Sequence, residues 1–489
     1  MSKKNKHARA DVHADKMSRI QLESMLAEHQ PTLPQSFFHR NRRNFFSRLA
    51  SGSIAIFAPA PEYERTGGIP FDYRPSSNVL YLSNFVEPGT ILVFSNLRGS
   101  KQFIMFVPEK DKSREIWNGF RHGPEGAMKD FGADQAYNIE QFPEIIAELV
   151  SDATNVYYDR GQNAKVDEQF EQVWNNSPKK LHSADEIVHE LRLFKSNEEL
   201  AIMMHAAQIS ALAHCRAMQI CRQGMREYQL QAEMEGYCKG LGARAMAYPS
   251  IVAAGSNATT LHYIANSDRL SDGLLLADVG AEYNWYAADI TRTYPVNGRF
   301  NAAQRAIYQL VLEAQQAAIR SAKPGVRLWD VHVQACKVLR KGLHKLGILP
   351  DYARTRALEL QALRAAEDKS QVITLKRFFM HNTSHWLGSE VHDVGDYRMS
   401  KDKRRLRHMG YGMVITVEPG LYFAADDLLV PEEFRGIGVR IEDDLAIGIK
   451  VTRDAQSGEF TFSRCEGNTV LTTAVPSAIA EIERLMNTA

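Results

Sequence analysis

The pattern of apolar and polar positions separates the chain into two long stretches. In the first, residues 32–178, helical segments such as 37–49 alternate with short β-rich runs at 53–57, 90–94, 102–107 and 155–158. Proline, glycine and aspartate interrupt these runs, as is typical of strand ends. The pattern predicts a small N-terminal α/β domain over residues 32–178, with the polar stretch 175–183 as the linker that follows it.

The second stretch, residues 179–489, contains longer helical patterns. Ser196 and Glu199 form the ends of a capping box, which predicts the start of a long helix reaching residue 220. Three more helices are predicted at 228–239, 301–322 and 329–346, and the charged, alanine-rich segment 353–369 predicts a surface helix. Long helices with short strands predict an α+β domain, with helices on one face of an antiparallel sheet.

The polar N-terminal stretch, residues 1–31, predicts a solvated tail with one short helix at 20–28. Composition then limits the function classes. At 489 residues the chain exceeds one core, and 59 basic against 58 acidic residues give no general attraction to nucleic acid or anionic membrane. There is no apolar run long enough to span a membrane and no apolar secretion signal. Five cysteines without CxxC spacing favour a reducing, cytoplasmic location.

Candidate chemistry first appears in residues 274–295, a pattern typical of a hairpin. Asp278 lies near the end of the apolar run 274–279, and the chain returns through 285–290, which includes Asp289. Facing residues of an antiparallel pair lie about 4.5 to 5.5 Å apart, so the two carboxylates could share one charge centre. Aspartates near a turn are more often solvated turn formers, so this stretch alone leaves both readings open.

Further metal-ligating residue types follow in three later stretches. His381, His385 and His392 lie in a glycine-containing segment, and neutral imidazole is a good ligand for divalent metals. Glu418 ends the apolar run 414–417, and Glu442 follows 439–441. If Asp278, Asp289, Glu418 and Glu442 converge, two divalent cations would balance their charge, which predicts a two-metal hydrolase.

Four motifs in order carry a resemblance to a known family: DVGAEYNWYAADITRTYPV, HWLGSEVHDVG, TVEPGLY and RGIGVRIEDD. They resemble the signatures of the pita-bread metallopeptidases, in the proline-specific branch of aminopeptidase P and prolidase. The resemblance implies a small creatinase-like α/β domain, followed by a catalytic domain with a curved antiparallel sheet and two pseudo-symmetric halves. It also implies a homodimer or homotetramer.

The resemblance implies a role for each site residue by motif position. The metal ligands would be Asp278, Asp289, His385, Glu418 and Glu442, holding two ions. Such a shell suits manganese, with zinc, cobalt or iron as alternatives. A hydroxide bridging the ions would attack the peptide carbonyl, and Glu418 would also transfer the proton. The other implied roles are catalytic contacts by His262 and His392, support from Arg440 and Tyr422, and a proline pocket lined by His381 and Trp117.

The implied activity is removal of an N-terminal residue that precedes proline, with peptides carrying proline at the second position as substrates. Prolidase, which cuts only Xaa-Pro dipeptides, is the nearest alternative, and a non-catalytic pita-bread binding scaffold is a more distant one. One departure stands out in the small domain. Tyr73 to Asn78 ends in asparagine where aminopeptidase P members often carry aspartate, which puts the amine-binding details and the assembly in question.

Overall fold

A six-stranded mixed sheet forms the centre of the N-terminal domain. The computed structural model describes residues 19–174, 179–351, 353–355, 357–358, 373–399, 402–454 and 459–488. In spatial order the strands are Gln135–Asn138, Ser100–Val107, Ile91–Leu97, Ser53–Phe57, Asn155–Tyr157 and Lys180–His182. The helices around them are Gln35–Arg48, Ser77–Ser83, Lys112–Asn118, Gly123–Phe131, Phe142–Asp152, Ala164–Trp174 and Asp185–Arg192.

Both faces of this sheet are covered by helices. Strand Ser53–Phe57 is buried at every position because its side chains alternate between two apolar cores. Ala55 and Phe57 belong to one core, and Ile54 and Ile56 to the other. The predicted α/β character of the domain follows from this double burial. The sheet continues to His182, past the predicted boundary at 178, because the polar segment taken as a linker contributes an edge strand.

The short N-terminal helix is part of the C-terminal core. It spans Arg19–Glu28, close to the predicted 20–28. Leu22, Met25 and Leu26 are buried in the same apolar cluster as the long helix Asn197–Ile220. Within the predicted polar tail 1–31, this helix is thus packed on one side against a distant helix, because Leu22, Met25 and Leu26 lie on the same face. Residues 1–18 lie outside the described part of the chain.

The C-terminal domain has two halves of similar construction. Each half combines a helix pair with a three-stranded antiparallel sheet. The first half contains helices Asn197–Ile220 and Glu227–Gly240 and strands Ile251–Ala254, Leu274–Asp278 and Thr291–Pro295. The second contains helices Ala302–Ser321 and Leu328–Lys345 and strands Val414–Val417, Asp443–Arg453 and Phe460–Val470. The four long helices begin and end within two residues of the predicted limits.

A repeated turn marks the symmetry at the level of residues. Gly224 and Gly325 adopt positive φ angles of 91° and 85°, and each precedes the second helix of its pair by a few residues. Two positions later, Arg226 and Arg327 cap those helices and each forms an isolated antiparallel bridge to its own half. The halves therefore repeat a Gly-x-Arg turn, which agrees with the pseudo-symmetry that the resemblance implies.

Short elements complete the described fold. Among the described residues, no helix is both long and apolar enough to cross a bilayer. The predicted surface helix at 353–369 lies mostly outside the described residues. The remaining strands are Glu64–Thr66, Ile69–Pro70, Ala245–Met246, Ala281–Tyr283, Tyr286–Ala287, Arg398–Met399, Asp402–Leu406, Gly420–Tyr422 and Gly438–Arg440, and the remaining helices are Ile139–Gln141, Gly255–Thr259, Leu375–Phe378, Glu432–Phe434 and Ile479–Asn487.

Candidate active site

The two aspartates occupy a more elaborate hairpin than predicted. Asp278 is the last residue of a fully buried strand, as expected. Its partner across the ladder is Thr291, however, and not a residue of the predicted return strand 285–290. A small second hairpin, Ala281–Tyr283 with Tyr286–Ala287, is inserted between the two aspartates. Asp289 therefore reaches the site from the segment just before the return strand.

The two glutamates come from breaks between strands of the second half. Glu418 follows strand Val414–Val417, and its backbone N–H donates to the Thr383 carbonyl at 2.8 Å. Glu442 lies between two strands and donates from its backbone to the Thr291 carbonyl at 3.1 Å. Pro419 follows Glu418, and Glu442 lies between strands Gly438–Arg440 and Asp443–Arg453, so neither glutamate is part of a strand. Both carboxylates line the same cavity as Asp278 and Asp289.

His385 presents one ring nitrogen to these carboxylates. Its Nδ1 lies 2.9 Å from the Trp386 carbonyl, which fixes the proton there and leaves Nε2 directed at the acidic group. Nε2 lies 3.4 Å from Asp289 Oδ2. Ligand atoms of Asp289, His385 and Glu442 all lie within 4.8 Å of one another. Such a spacing and donor set fit a divalent metal ion, with Asp278 and Glu418 as further carboxylate donors in the cavity.

Burial and mutual repulsion shift the acid–base properties of the cluster. Burial, opposed by Arg440, raises the pKa of Asp278, and burial followed by the Asp289 charge raises that of Glu442. Burial also raises the pKa of Glu418 to about 8. Burial acts to lower the pKa of His385, but the hydrogen bond to Asp289 together with the negative charges of Asp289 and Glu418 raises this pKa to about 9. In the absence of metal ions, bound protons offset the repulsion among these buried carboxylates.

Asp278 is held by donors on both carboxylate oxygens. The Tyr248 hydroxyl donates to Oδ1 and Arg440 Nη2 donates to Oδ2, each at 2.7 Å. Arg440 also donates from Nη1 to the Tyr422 hydroxyl at 3.1 Å and from Nε to Thr291 Oγ1 at 3.1 Å. The guanidinium therefore fixes the orientation of one carboxylate and supplies positive charge within an acidic pocket.

The carboxylates open onto a cavity of about 1050 Å³. His262, His381 and His392 line it, so these predicted site residues are brought together with the acidic group. The His392 ring meets that of His385 edge to face at 4.4 Å, and burial, with the His385 charge second, lowers the His392 pKa. Tyr422 is buried behind the wall, where its hydroxyl lies 2.8 Å from His381 Nε2.

Trp117 is the predicted site residue that the fold places elsewhere. It lies on helix Lys112–Asn118 of the small domain, in a stretch expected to be a loop, and is 86% exposed. The described residues that line the cavity do not include it. The small domain presents this helix to solvent, away from the cavity of its own chain, so the predicted pocket contact is not made within one chain.

Asn78 is part of a buried interdomain network. Its side-chain amide donates to Asp185 Oδ1 at 2.7 Å, and its oxygen accepts from Arg192 Nη1 at 2.6 Å. Arg192 also donates to Asp393 at 2.6 Å, next to His392 in the chain. Through Arg192 and Asp393, Asn78 thus helps to position the loop of the same chain that carries His392. Burial raises the pKa of Asp185 to about 6.

Several residues around the site were not identified from the sequence. Tyr248 lies outside the four motifs. Thr291 lies within the first motif, but a threonine there did not indicate a role; its hydroxyl donates to Glu442 Oε2 at 2.7 Å. Asp444 accepts the backbone N–H of Asp289 at 3.1 Å. Trp329 and His332, on the first two turns of the helix predicted at 329–346, line the cavity. An aromatic residue at the start of that helix was the available signal for Trp329.

Comparisons with known proteins agree with this geometry. Residues 201–448 match the model of metallopeptidase family M24, and residues 38–157 match the aminopeptidase P N-terminal domain. The Xaa-Pro aminopeptidase of Escherichia coli strain K12 is 38% identical over 465 residues, which cover 92% of this chain and 97% of that protein. Human Xaa-Pro aminopeptidase 3 is 35% identical over 398 residues, covering 79% of this chain and 75% of its own.

Solved structures show the same two-domain architecture. The Pseudomonas aeruginosa aminopeptidase PepP has a TM-score of 0.84 at 38% identity, covering 94% of this chain and 99% of that one. Zinc-substituted Escherichia coli aminopeptidase P in complex with product has a TM-score of 0.82 at 36% identity, covering 93% and 99%. The fold predicted from the motifs is therefore confirmed, and the chain belongs to the aminopeptidase P group of metallopeptidase family M24.

Proposed function

We propose that this protein is a metal-dependent Xaa-Pro aminopeptidase, which hydrolyses the bond between an N-terminal residue and a following proline. The observation that carries the proposal is the convergence of four carboxylates and His385 on one cavity, with three of these ligands within 4.8 Å of one another. Relatives named Xaa-Pro aminopeptidase, aligned over most of both chains, support the same substrate class.

The ligand set would be Asp278, Asp289, His385, Glu418 and Glu442. Two divalent cations, manganese by preference, would supply Lewis-acid chemistry that makes hydroxide available from water near neutral pH. Tyr248 and Arg440 keep the Asp278 carboxylate in one orientation, and Thr291 does the same for Glu442. The protein's contribution is thus a fixed, largely buried acidic shell.

The remaining roles concern protons and orientation. Glu418 has a carboxylate within the cavity, beside the other proposed ligands, as suits a group that takes a proton from water and passes it to the leaving prolyl nitrogen. His262 and His392 line the cavity where they can hydrogen-bond the substrate and the oxyanion that develops on its carbonyl. Burial lowers the pKa of His381 to about 3, so its ring is neutral and suits contact with a proline ring.

Proline selectivity has a physical basis in this arrangement. The nitrogen of an Xaa-Pro bond carries no N–H, so peptidases that depend on that donor lose a contact. A site that binds the amino-terminal residue through metal ions does not need an N–H donor on the residue that follows. The His381 ring lines the cavity and packs against the buried Phe379 ring, with the two centroids 4.8 Å apart, so His381 offers an apolar surface to the proline ring.

Two substrates test the proposal. Purified protein supplied with manganese is incubated with the tripeptide Arg-Pro-Pro and with the dipeptide Gly-Pro, and released amino acids are measured. We expect arginine to be released from the tripeptide. Cleavage of the dipeptide alone would identify a prolidase instead. Absence of both cleavage and metal uptake would favour a non-catalytic scaffold.

We also propose a homodimer or homotetramer as the working assembly. Trp117, exposed and outside the cavity of its own chain, could line a proline pocket only across a subunit interface. Light scattering of the purified protein measures the assembly. We expect Trp117→Ala to raise the KM for Arg-Pro-Pro if that interface role is real, and to leave it unchanged if it is not.

The proposed location is the cytoplasm. No two of the five cysteines form a disulfide, which suits a reducing compartment. Fractionation of cells that express the native chain, followed by detection of the protein in each fraction, tests the location directly.

A further inference from the structure

A row of aromatic rings runs along one wall of the cavity. The His381 and Phe379 ring centroids lie 4.8 Å apart, those of Phe379 and His332 5.5 Å, and those of His332 and Trp329 5.2 Å. His381, His332 and Trp329 all line the cavity. Phe379 is buried, whereas Trp329 is 53% exposed. The row thus leads from the predicted proline pocket to a half-exposed indole at the rim.

The outer end of the row is held firmly by its surroundings. Trp329 lies in the first turn of helix Leu328–Lys345, whose start is fixed by Arg327 donating to both carboxylate oxygens of Asp330 at 2.8 and 2.7 Å. One turn later, His332 Nδ1 lies 2.8 Å from the hydroxyl of Thr383. Thr383 belongs to the loop that carries His385, so the rim and the metal-ligand loop are joined.

The first half of the domain offers a built-in comparison for Trp329. After the repeated Gly-x-Arg turn, the equivalent helix carries Tyr228 where the second half carries Trp329, and both side chains are 53% exposed. Trp329 lines the cavity, whereas Tyr228 is absent from the described residues that do so. An aromatic side chain beside a cavity has apolar surface available to a ligand.

We propose that Trp329 determines specificity for the substrate residues that follow the proline, favouring aromatic or large apolar side chains at the third or fourth position. The inference rests on the proposed function, because it takes His381 as the wall of the proline pocket. An extended peptide advances by about 3.3 to 3.6 Å per residue, so the residue two places after the proline lies about 7 Å further along the cavity, and a large side chain there extends beyond that toward the rim. A cavity of about 1050 Å³ has room for such a peptide.

Two tetrapeptides, Arg-Pro-Phe-Phe and Arg-Pro-Gly-Gly, test the proposal on the manganese-loaded protein. The wild type is expected to favour the phenylalanine peptide. Trp329→Ala should lower kcat/KM for that peptide by about three- to tenfold, through KM, and change the glycine peptide by less than about twofold, as expected for one aromatic contact. Trp329→Phe should retain most of the preference, and Tyr228→Ala should change neither peptide.

Three results would overturn the inference. Equal losses on both peptides would mean a general structural effect, and no loss on either would mean that the indole does not contact substrate. A wild type without preference between the peptides would also contradict it. If the wild type cleaves neither tetrapeptide nor Arg-Pro-Pro, the proposed function itself fails, which is a distinguishable outcome. Thermal unfolding of Trp329→Ala and Trp329→Phe shows whether each variant is folded.

Discussion

The first half of the C-terminal domain contributes Asp278 and Asp289 to the site, and the second half contributes Glu418 and Glu442. Both halves build their carboxylates on a helix pair and a three-stranded antiparallel sheet. The histidines are distributed unequally: the second half supplies His332, His381, His385 and His392 to the cavity, and the first supplies His262. A repeated scaffold therefore provides paired acids, while the histidines that line the cavity come mainly from one half.

The halves also depend on each other for the orientation of their acids. Arg440 of the second half donates to Asp278 of the first, and Thr291 of the first donates to Glu442 of the second. Asp444 of the second accepts the backbone N–H of Asp289 at 3.1 Å. Each half thus supplies groups that orient carboxylates of the other. The site exists only where the two halves meet.

The largest expected effect concerns the proposed proton-transfer group of the second half. Glu418→Gln removes the ionisable oxygen but preserves the side-chain shape, so the fold should persist. We expect kcat on Arg-Pro-Pro to fall by about 10² to 10⁴-fold, the usual contribution of general acid–base catalysis. Glu433→Gln, at an exposed glutamate of the same half, is the matched control. A loss smaller than about tenfold would contradict the assigned role.

A smaller effect is expected from a matched pair of substitutions, one tyrosine in each half, which should change different properties of the site. Tyr248→Phe removes one donor from Asp278, and a hydrogen bond to a charged group contributes about 1.5 to 3 kcal/mol, so manganese affinity should fall by about tenfold or more. Tyr422→Phe removes the hydroxyl shared by His381 and Arg440 and should raise the KM for Arg-Pro-Pro instead. Metal titration by calorimetry and steady-state kinetics measure the two effects.

If Tyr248→Phe and Tyr422→Phe changed manganese affinity and KM to similar extents, the two tyrosines would not have these separate roles. The single variants also serve as controls for each other, because both remove one buried hydroxyl from the same cavity region.

The smallest effect is a pH dependence of stability in the metal-free protein. The folded-state pKa values of Glu418, about 8, and His385, about 9, both exceed their ordinary values of 4.5 and 6.5. The folded state therefore binds protons more tightly than the unfolded state, and stability falls as pH rises. The stability contributed by these two groups begins to fall as pH rises above their ordinary pKa values, and it is lost once pH passes about 9.

Thermal unfolding in the presence of a chelator, followed across this pH range, measures that decline. Manganese should flatten the slope, because cations replace the protons that hold the cluster together. Glu418→Gln removes one of the titrating groups of the cluster and should reduce the slope in the chelated protein. A melting temperature that rises with pH in the chelator would contradict the assignment.

Local sequence signals determined much of this molecule. Apolar periodicity and the Ser196 capping box located the four long helices, because these patterns act over neighbouring turns. The apolar run that ends at Asp278 indicated a buried strand with a carboxylate at its end. The order of the four motifs indicated the family, and the comparisons confirmed it.

Tertiary structure decided what depends on contacts between distant positions. The pairing of Asp278 with Thr291, the donors to each carboxylate from the opposite half, and the burial of the N-terminal helix against Asn197–Ile220 all join segments far apart in sequence. The family resemblance had implied a pocket role for Trp117, and the sequence had not singled out Trp329, because an aromatic residue in an exposed segment carries no local sign of what it faces. Side-chain chemistry and periodicity are local properties, whereas which side chains share a cavity is set by the packing of whole elements.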